Sequence, residues 1–430
     1  MKASLPTGRA AHPRVRRAAP PIPHLADAAE GADLLEEIPE PMGVLLWWAL
    51  RDFMLWAETP ARARRRLFAP GAGELRRRAL LAAAPEQELW GPLLTLAQMA
   101  DDPERADPAR LVFAVRALAR WAERRSAPRS RLAFAHAAAV AMADDPRLAL
   151  EAARLARDAA RHAQAEGWFR RAIRLARGRD WESYTWGFIG LGVQYMRTGN
   201  YPAANAVMHR ALRAARKRRL HALEGSAHHH LFVFSVDAGR MDEGYAHAGE
   251  ALRAYGDGHS RLPALAHDLG CFWSEQGRFA RALSIFDVAL PCLPDGPERL
   301  MALANVVRAA AGAGERARYE AARREALPLT ALPVCAENAA ESLVLIAQGD
   351  VCLGEWSRGE EAARAALELA TERDEARTLM IAEAQLEAAR HGRAVRRTAP
   401  PEPVELARQA DELAVQVRAS LTRHAAATAA

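Results

Sequence analysis

The chain almost lacks lysine. Of its 59 lysine and arginine residues only Lys2 and Lys217 are lysine, and 53 acidic residues interspersed among them leave a formal charge of +6. A basic balance can serve phosphate contacts, but an alanine-rich, arginine-rich and lysine-poor chain is what a GC-rich bacterial genome writes. The charge therefore carries little weight toward direct nucleic-acid binding. Cysteine is scarce as well: Cys271, Cys292, Cys335 and Cys352 contain no C-x-x-C spacing, which leaves neither a zinc ribbon nor a disulfide framework and suits a reducing, cytoplasmic setting. Aromatic and β-branched residues are few, which turns the chain toward helix. No apolar run reaches the ~20 residues of a spanning helix. The most lipid-like stretch, Met42–Ala57, is interrupted by Arg51 and Asp52, so no membrane partner is expected. Residues 1–25 carry Arg9, Arg14, Arg16 and Arg17 but no apolar h-region, which argues against a secretory signal.

Catalytic motifs are missing too. There is no G-x-x-x-x-G-K-[ST], no G-x-S-x-G and no H-E-x-x-H, and Gly187, Gly190 and Gly192 fall inside a helical pattern where they cannot cradle phosphate. The expectation is a chain that is no enzyme and binds no cofactor.

What is present is helical periodicity in blocks. Residues 1–30 are rich in Pro, Ala and Arg, have no period, and read as a disordered tail. Residues 31–108 read as an N-terminal helical cap region. In it Leu46, Leu50, Phe53 and Met54 recur at helical spacing after Pro41, with Trp47, Trp48 and Trp56 widening the apolar face. A face that apolar must be covered, either by the following helices or by a partner. The runs Arg64–Arg66 and Arg76–Arg78 beside it read as a solvated face.

From residue 109 to 391 the pattern repeats. Its best copy is Pro263–Gly296, where small residues at Gly270, Ala282 and Ala289 let two antiparallel helices approach while Leu269, Trp273 and Phe286 fill the space between them. Ala266, Leu269, Gly270 and Trp273, then Gly277 and Phe279, then Ala282, Phe286, Ala289 and Pro294 resemble the tetratricopeptide repeat. With that unit as a ruler, copies of unequal strength lie at Leu111–Asp144, Pro146–Arg179, Thr185–Arg218, Gly225–Gly258, Leu300–Pro333 and Ser342–Arg373. A turn glycine recurs at 199, 239, 277, 314 and 354. These steps exceed the family's period of about 34, and the surplus falls after the second helix, which is expected to gain a turn. A further helix covers Arg373–His391, the breaker run Thr398–Pro403 follows, and residues 404–424 place Leu406, Ala410, Leu413, Val417 and Leu421 on one face, as a C-terminal capping helix would.

The resemblance implies an all-α fold: a right-handed α-solenoid of antiparallel helix pairs forming a tetratricopeptide-like superhelix. It also implies a protein-interaction scaffold or peptide sensor that takes an unidentified protein segment in its concave groove. The family's groove positions fall here on Arg154, Arg157, Trp186, Ile189, Val193, Met196, Arg197, His229, Val233, His267, Cys271, Arg308 and Gln348. They make an apolar and aromatic entrance near Trp186 followed by mixed charge, without the lysine and asparagine clamp of the chaperone-binding members. The alternative is a regulatory protein of transcription or nucleic-acid machinery acting through its arginine-rich surfaces. No metal site is expected. Consecutive helical histidines, His228–His230, point about 100° apart and cannot chelate one ion. His229, His267 and Cys271 are placed to meet across adjacent repeats, but no second-shell carboxylate is expected to orient them.

Overall fold

The computed structural model describes residues 18–23, 31–373, 375–394, 399 and 401–429, and among these residues there are α-helices, short 3-10 turns and no strand. The chain divides into two compact units, Met1–Gln194 and Tyr195–Ala430. The first contains α1 (Ala32–Glu37), α2 (Met42–Glu58), α3 (Ala72–Ala83), α4 (Gln87–Asp101), α5 (Pro108–Arg124), α6 (Pro128–Ala141), α7 (Pro146–Asp158) and α8 (His162–Ala176). It also holds most of α9 (Trp181–Arg197), whose last residues belong to the second unit.

In the first unit the tryptophan-rich α2 is covered by its own neighbours. Leu46, Leu50, Phe53 and Trp56 are buried against α1, α4 and α6, and the Trp56 indole donates to the Pro103 carbonyl at 2.8 Å. Arg64 stacks on that indole at 3.8 Å and donates to the carbonyls of Trp56 and Thr59. Asp52, one of the charges that break the apolar run, is nearly buried and held by Arg76 at 2.7 Å. Arg77 and Arg78 pair with Glu74, and Arg77 also with Asp101. The second arginine run is thus spent on carboxylates of α2, α3 and α4. Of the expected N-terminal tail, residues 18–23 have no regular secondary structure and lie beside α8, where Arg171 donates to the Pro20 carbonyl; residues 1–17 and 24–30 lie outside the described residues.

The second unit holds α10 (Tyr201–Arg218), α11 (His221–Asp237), α12 (Met241–Tyr255), α13 (Leu262–Glu275), α14 (Phe279–Ala289) and α15 (Pro297–Ala313). It continues with α16 (Arg316–Thr330), α17 (Ala336–Leu353), α18 (Trp356–Glu372), α19 (Ala376–Arg390) and α20 (Val404–Ala429). The seven repeat copies read from the sequence coincide in order with α5 to α18. Where the two helices of a copy lie in one unit they pack on each other, so each unit contains tetratricopeptide-like α-helical hairpins. Gly270 shows why the small positions matter: a Cβ there would lie 2.5 Å from the Phe286 ring, which fills that space against α13.

One turn recurs inside each of the seven repeat copies. At Gly199, Gly239, Gly277, Gly314 and Gly354 the backbone is left-handed, with φ between 72° and 77°. The glycine N–H reaches back three residues and the next N–H five, as in Gly277 to Ser274 and Arg278 to Trp273. This closes the carbonyls left open at a helix end. The turns α5–α6 and α7–α8 make the same bonds around Ser126 and Ala160, both at φ 55°, which is why the glycine ruler reads poorly there. An L-residue in that region costs roughly 1–2 kcal/mol. Ala160→Gly is therefore expected to stabilise the first unit by about 0.5–1 kcal/mol in urea unfolding, with the gain in unfolded-chain entropy offsetting the rest. A loss of stability would show that the turn is not strained by its side chain.

The repeat surplus is not one extra helical turn throughout. It is helix in the 18-residue α10, a loop after α12 from Gly256 to Arg261 and a 3-10 turn at Leu290–Cys292 after α14. The C-terminal helix also corrects its expected place. α20 does not cap the last pair but lies across α12 and α14 in the middle of the second unit. Its stripe Ala410, Leu413, Ala414, Val417 and Leu421 is buried in their core, while Arg281 holds Glu402 and Asp411 and Arg423 and Ser420 hold Asp257. An amphipathic stripe specifies that a face is buried, not which face buries it.

Candidate docking face and its polar cluster

The first helices of successive pairs in the second unit, α11, α13, α15 and α17, stand side by side, and α11 carries three consecutive histidines toward different neighbours. His228 turns to α10 and α12, with Nε2 2.9 Å from Arg216 Nη2 and Nδ1 2.9 Å from His247 Nδ1. Burial, then His247 and Arg216, push its pKa down to about 3, so it is neutral at physiological pH. His229 turns to α13, where Nε2 meets Asp268 Oδ2 at 2.8 Å, and its Nδ1 lies 3.5 Å from the Tyr255 hydroxyl. His230 is half-buried beside it.

Asp268 is the residue the spacing argument missed. Its other oxygen lies 3.4 Å from His267 Nδ1. Burial would raise its pKa, but hydrogen bonds from His229 and His267 prevail and hold the carboxyl well below the usual range. His267 responds in the opposite sense: burial would lower it, yet Cys271 and Asp268 keep it well above an ordinary histidine. Cys271 Sγ lies 3.4 Å from His267 Nε2 and 3.7 Å from Nδ1, as one helical turn on the same face requires. From α15, Asn305 Nδ2 approaches His267 Nε2 at 3.5 Å and donates to the Met301 carbonyl, and Arg308 donates to Asn305 Oδ1 at 2.9 Å. The result is one hydrogen-bonded row, His229–Asp268–His267–Asn305–Arg308, across three helices. The only sequence signal for Asp268 was its place beside His267, because it does not lie at a groove position of the ruler.

The remaining expected groove residues are placed as follows. In the first unit Arg154 is exposed, Arg157 is half-buried with Asp158 at 3.0 Å, and Trp186 and Val193 are half-buried. Ile189 is only 2% exposed and belongs to the core, a correction that follows from its position beside Gly190, where the Phe169 ring packs close. In the second unit Met196, Val233, Arg308 and Gln348 are half-buried and Arg197 is exposed. His229 is 3% exposed; it presents nothing to a partner and instead holds Asp268, whose side chain is 42% exposed. The expectation that no carboxylate orients these histidines is overturned by Asp268. His229 and His267 both turn onto that carboxylate, and among the described residues no three His, Cys, Asp or Glu side chains converge on a metal position. No described helix is long and apolar enough to cross a membrane.

No family model matches the chain, and no curated protein matches it. Among solved structures it is similar to the Rap protein complexed with competence and sporulation factor, at 10% identity and a TM-score of 0.40, covering 85% of this chain and 98% of that one. It is similar as well to BtubC from P. vanneervenii, at 18% identity and a TM-score of 0.39, over 52% of this chain and 91% of that one. The TPR2AB domain of yeast Sti1, in complex with pHSP90, matches at 12% identity and a TM-score of 0.25, over 66% of this chain and 99% of that one.

Proposed function

We propose that the second unit is a protein-interaction module that docks an extended segment of a partner protein along α11, α13 and α15. The observation that supports this is the polar row itself. The helices around it pack through alanine and other apolar side chains, and such packing does not require a half-exposed carboxylate and a guanidinium held in register by imidazoles and the buried Asn305 amide. Asp268 can accept from, and Arg308 donate to, the backbone amides of an extended segment, while Val233 offers an apolar contact. The test is selection of a displayed peptide library against the full chain, with the selected peptides measured against an Asp268→Asn, Arg308→Ala variant of equal helicity. Hydrogen bonds to charged groups contribute roughly 1.5–3 kcal/mol each, so binding is expected to weaken at least tenfold. Unchanged affinity across the selected peptides would place docking elsewhere. Direct phosphate contact is the weaker reading, because Arg76, Arg77 and Arg78 are already in ion pairs.

A further inference from the structure

We propose that Cys271, His267 and Asp268 form a reactive thiol couple, in which Cys271 exchanges with small disulfides while His267 manages the proton and Asp268 holds the imidazole. The inference stands on its own geometry and does not depend on the docking reading. Cys271 Sγ lies against the His267 ring, 3.4 Å from Nε2 and 3.7 Å from Nδ1, and Nδ1 is 3.4 Å from Asp268 Oδ1. The second Asp268 oxygen is fixed by His229 at 2.8 Å, so the carboxylate cannot swing away from the imidazole. This is the order nucleophile, base, orienting carboxylate that activates a weak nucleophile. The direction of the His267 shift agrees, since Asp268 and Cys271 both favour its charged form against burial.

Two independent features set Cys271 apart. The first is chemical surroundings. Cys292 Sγ donates to a backbone carbonyl and Cys335 is buried, and burial pushes both thiols up. Cys271 is half-exposed with an imidazole beside it. The second is Ser274, one turn further on the same face of α13. Its hydroxyl is 1% exposed and makes no hydrogen bond, although buried polar groups are nearly always paired.

The step balances without a further reagent. The Cys271 proton passes to His267, the sulfur attacks one sulfur of an R–S–S–R disulfide, the old S–S bond breaks as the new one forms, and His267 returns the proton to the leaving R–S⁻. Cys271 is oxidised to a mixed disulfide while half of the reagent is reduced to R–SH.

The experiment is the reaction of the folded full chain with 4,4′-dithiodipyridine at pH 7, followed by absorbance, with the modified cysteine assigned by peptide mass at early times. Cys271 is expected to react at least tenfold faster than Cys352, a half-exposed thiol outside this cluster, and His267→Gln is expected to slow Cys271 by at least tenfold while leaving Cys352 unchanged. Modification of Cys352 before Cys271, or an unaltered Cys271 rate in a folded His267→Gln variant, overturns the proposal. If that variant does not fold, the order of labelling in the wild type decides alone. Binding of selected peptides by wild type and by Cys271→Ser is measured separately, so failure of the docking face and failure of the thiol couple are distinguishable.

Discussion

Asp350→Ala is expected to lower the stability of the second unit by about 3–5 kcal/mol, the cost of breaking a buried ion pair from one side. Asp350 sits on α17 with no exposed surface. It accepts from the Tyr319 hydroxyl at 2.6 Å and from both Arg323 Nε and Nη2, at 2.9 and 3.1 Å, all from α16. Burial raises its pKa, opposed by hydrogen bonds from Arg323 and Tyr319. Alanine would leave a largely buried guanidinium and a buried phenol without this acceptor. Asp350→Asn keeps one oxygen, which in the Oδ1 position still accepts from the Tyr319 hydroxyl and Arg323 Nε, and should lose less. Urea unfolding followed by far-UV circular dichroism measures both; a loss below about 1 kcal/mol for alanine would mean that α16 and α17 are held by their apolar contacts alone.

The second large effect concerns the returning helix. Val417 is fully buried between α20 and the core of α12 and α14. Val417→Asp would place an unpaired carboxylate there, at a cost of several kcal/mol. The cheaper outcome is that α20 lifts away. That forfeits the burial of Leu413, Val417 and Leu421, roughly 1.5–3 kcal/mol each, while the exposed pairs such as Arg423 with Asp257 are too weak to retain it. The expected result is rapid proteolysis between residues 391 and 403 together with faster amide exchange in α12 and α14, the other helices staying protected. Cleavage at the wild-type rate would show that α20 is held by its polar contacts and not by the stripe.

These two features also mark where reading the chain succeeded and where it stopped. The hairpins were legible because each depends on short-range chemistry: a small residue where helices approach, an aromatic to fill the space, a glycine able to adopt positive φ at the turn. Gly277 is an example. The copies around Ser126 and Ala160 were faint because the same turn is made there by residues that do not announce it. The groove list erred where facing was inferred from position alone. Ile189 is core and His229 lies behind Asp268, since a ruler taken from one repeat assumes that every helix is rotated alike.

By itself, then, the sequence determined the helices, the pairing of neighbours into hairpins and the stripe along residues 404–424, because periodicity and turn chemistry act within some 35 residues, about one repeat. Only the tertiary structure decided that α20 returns to α12 and α14, that Asp350 joins α17 to α16, and that Asp268 stands between His229 and His267. Each of those contacts joins helices whose relative rotation is set by how their side chains interlock. A small change in that rotation decides whether a carboxylate meets an imidazole or water, and no local pattern records it.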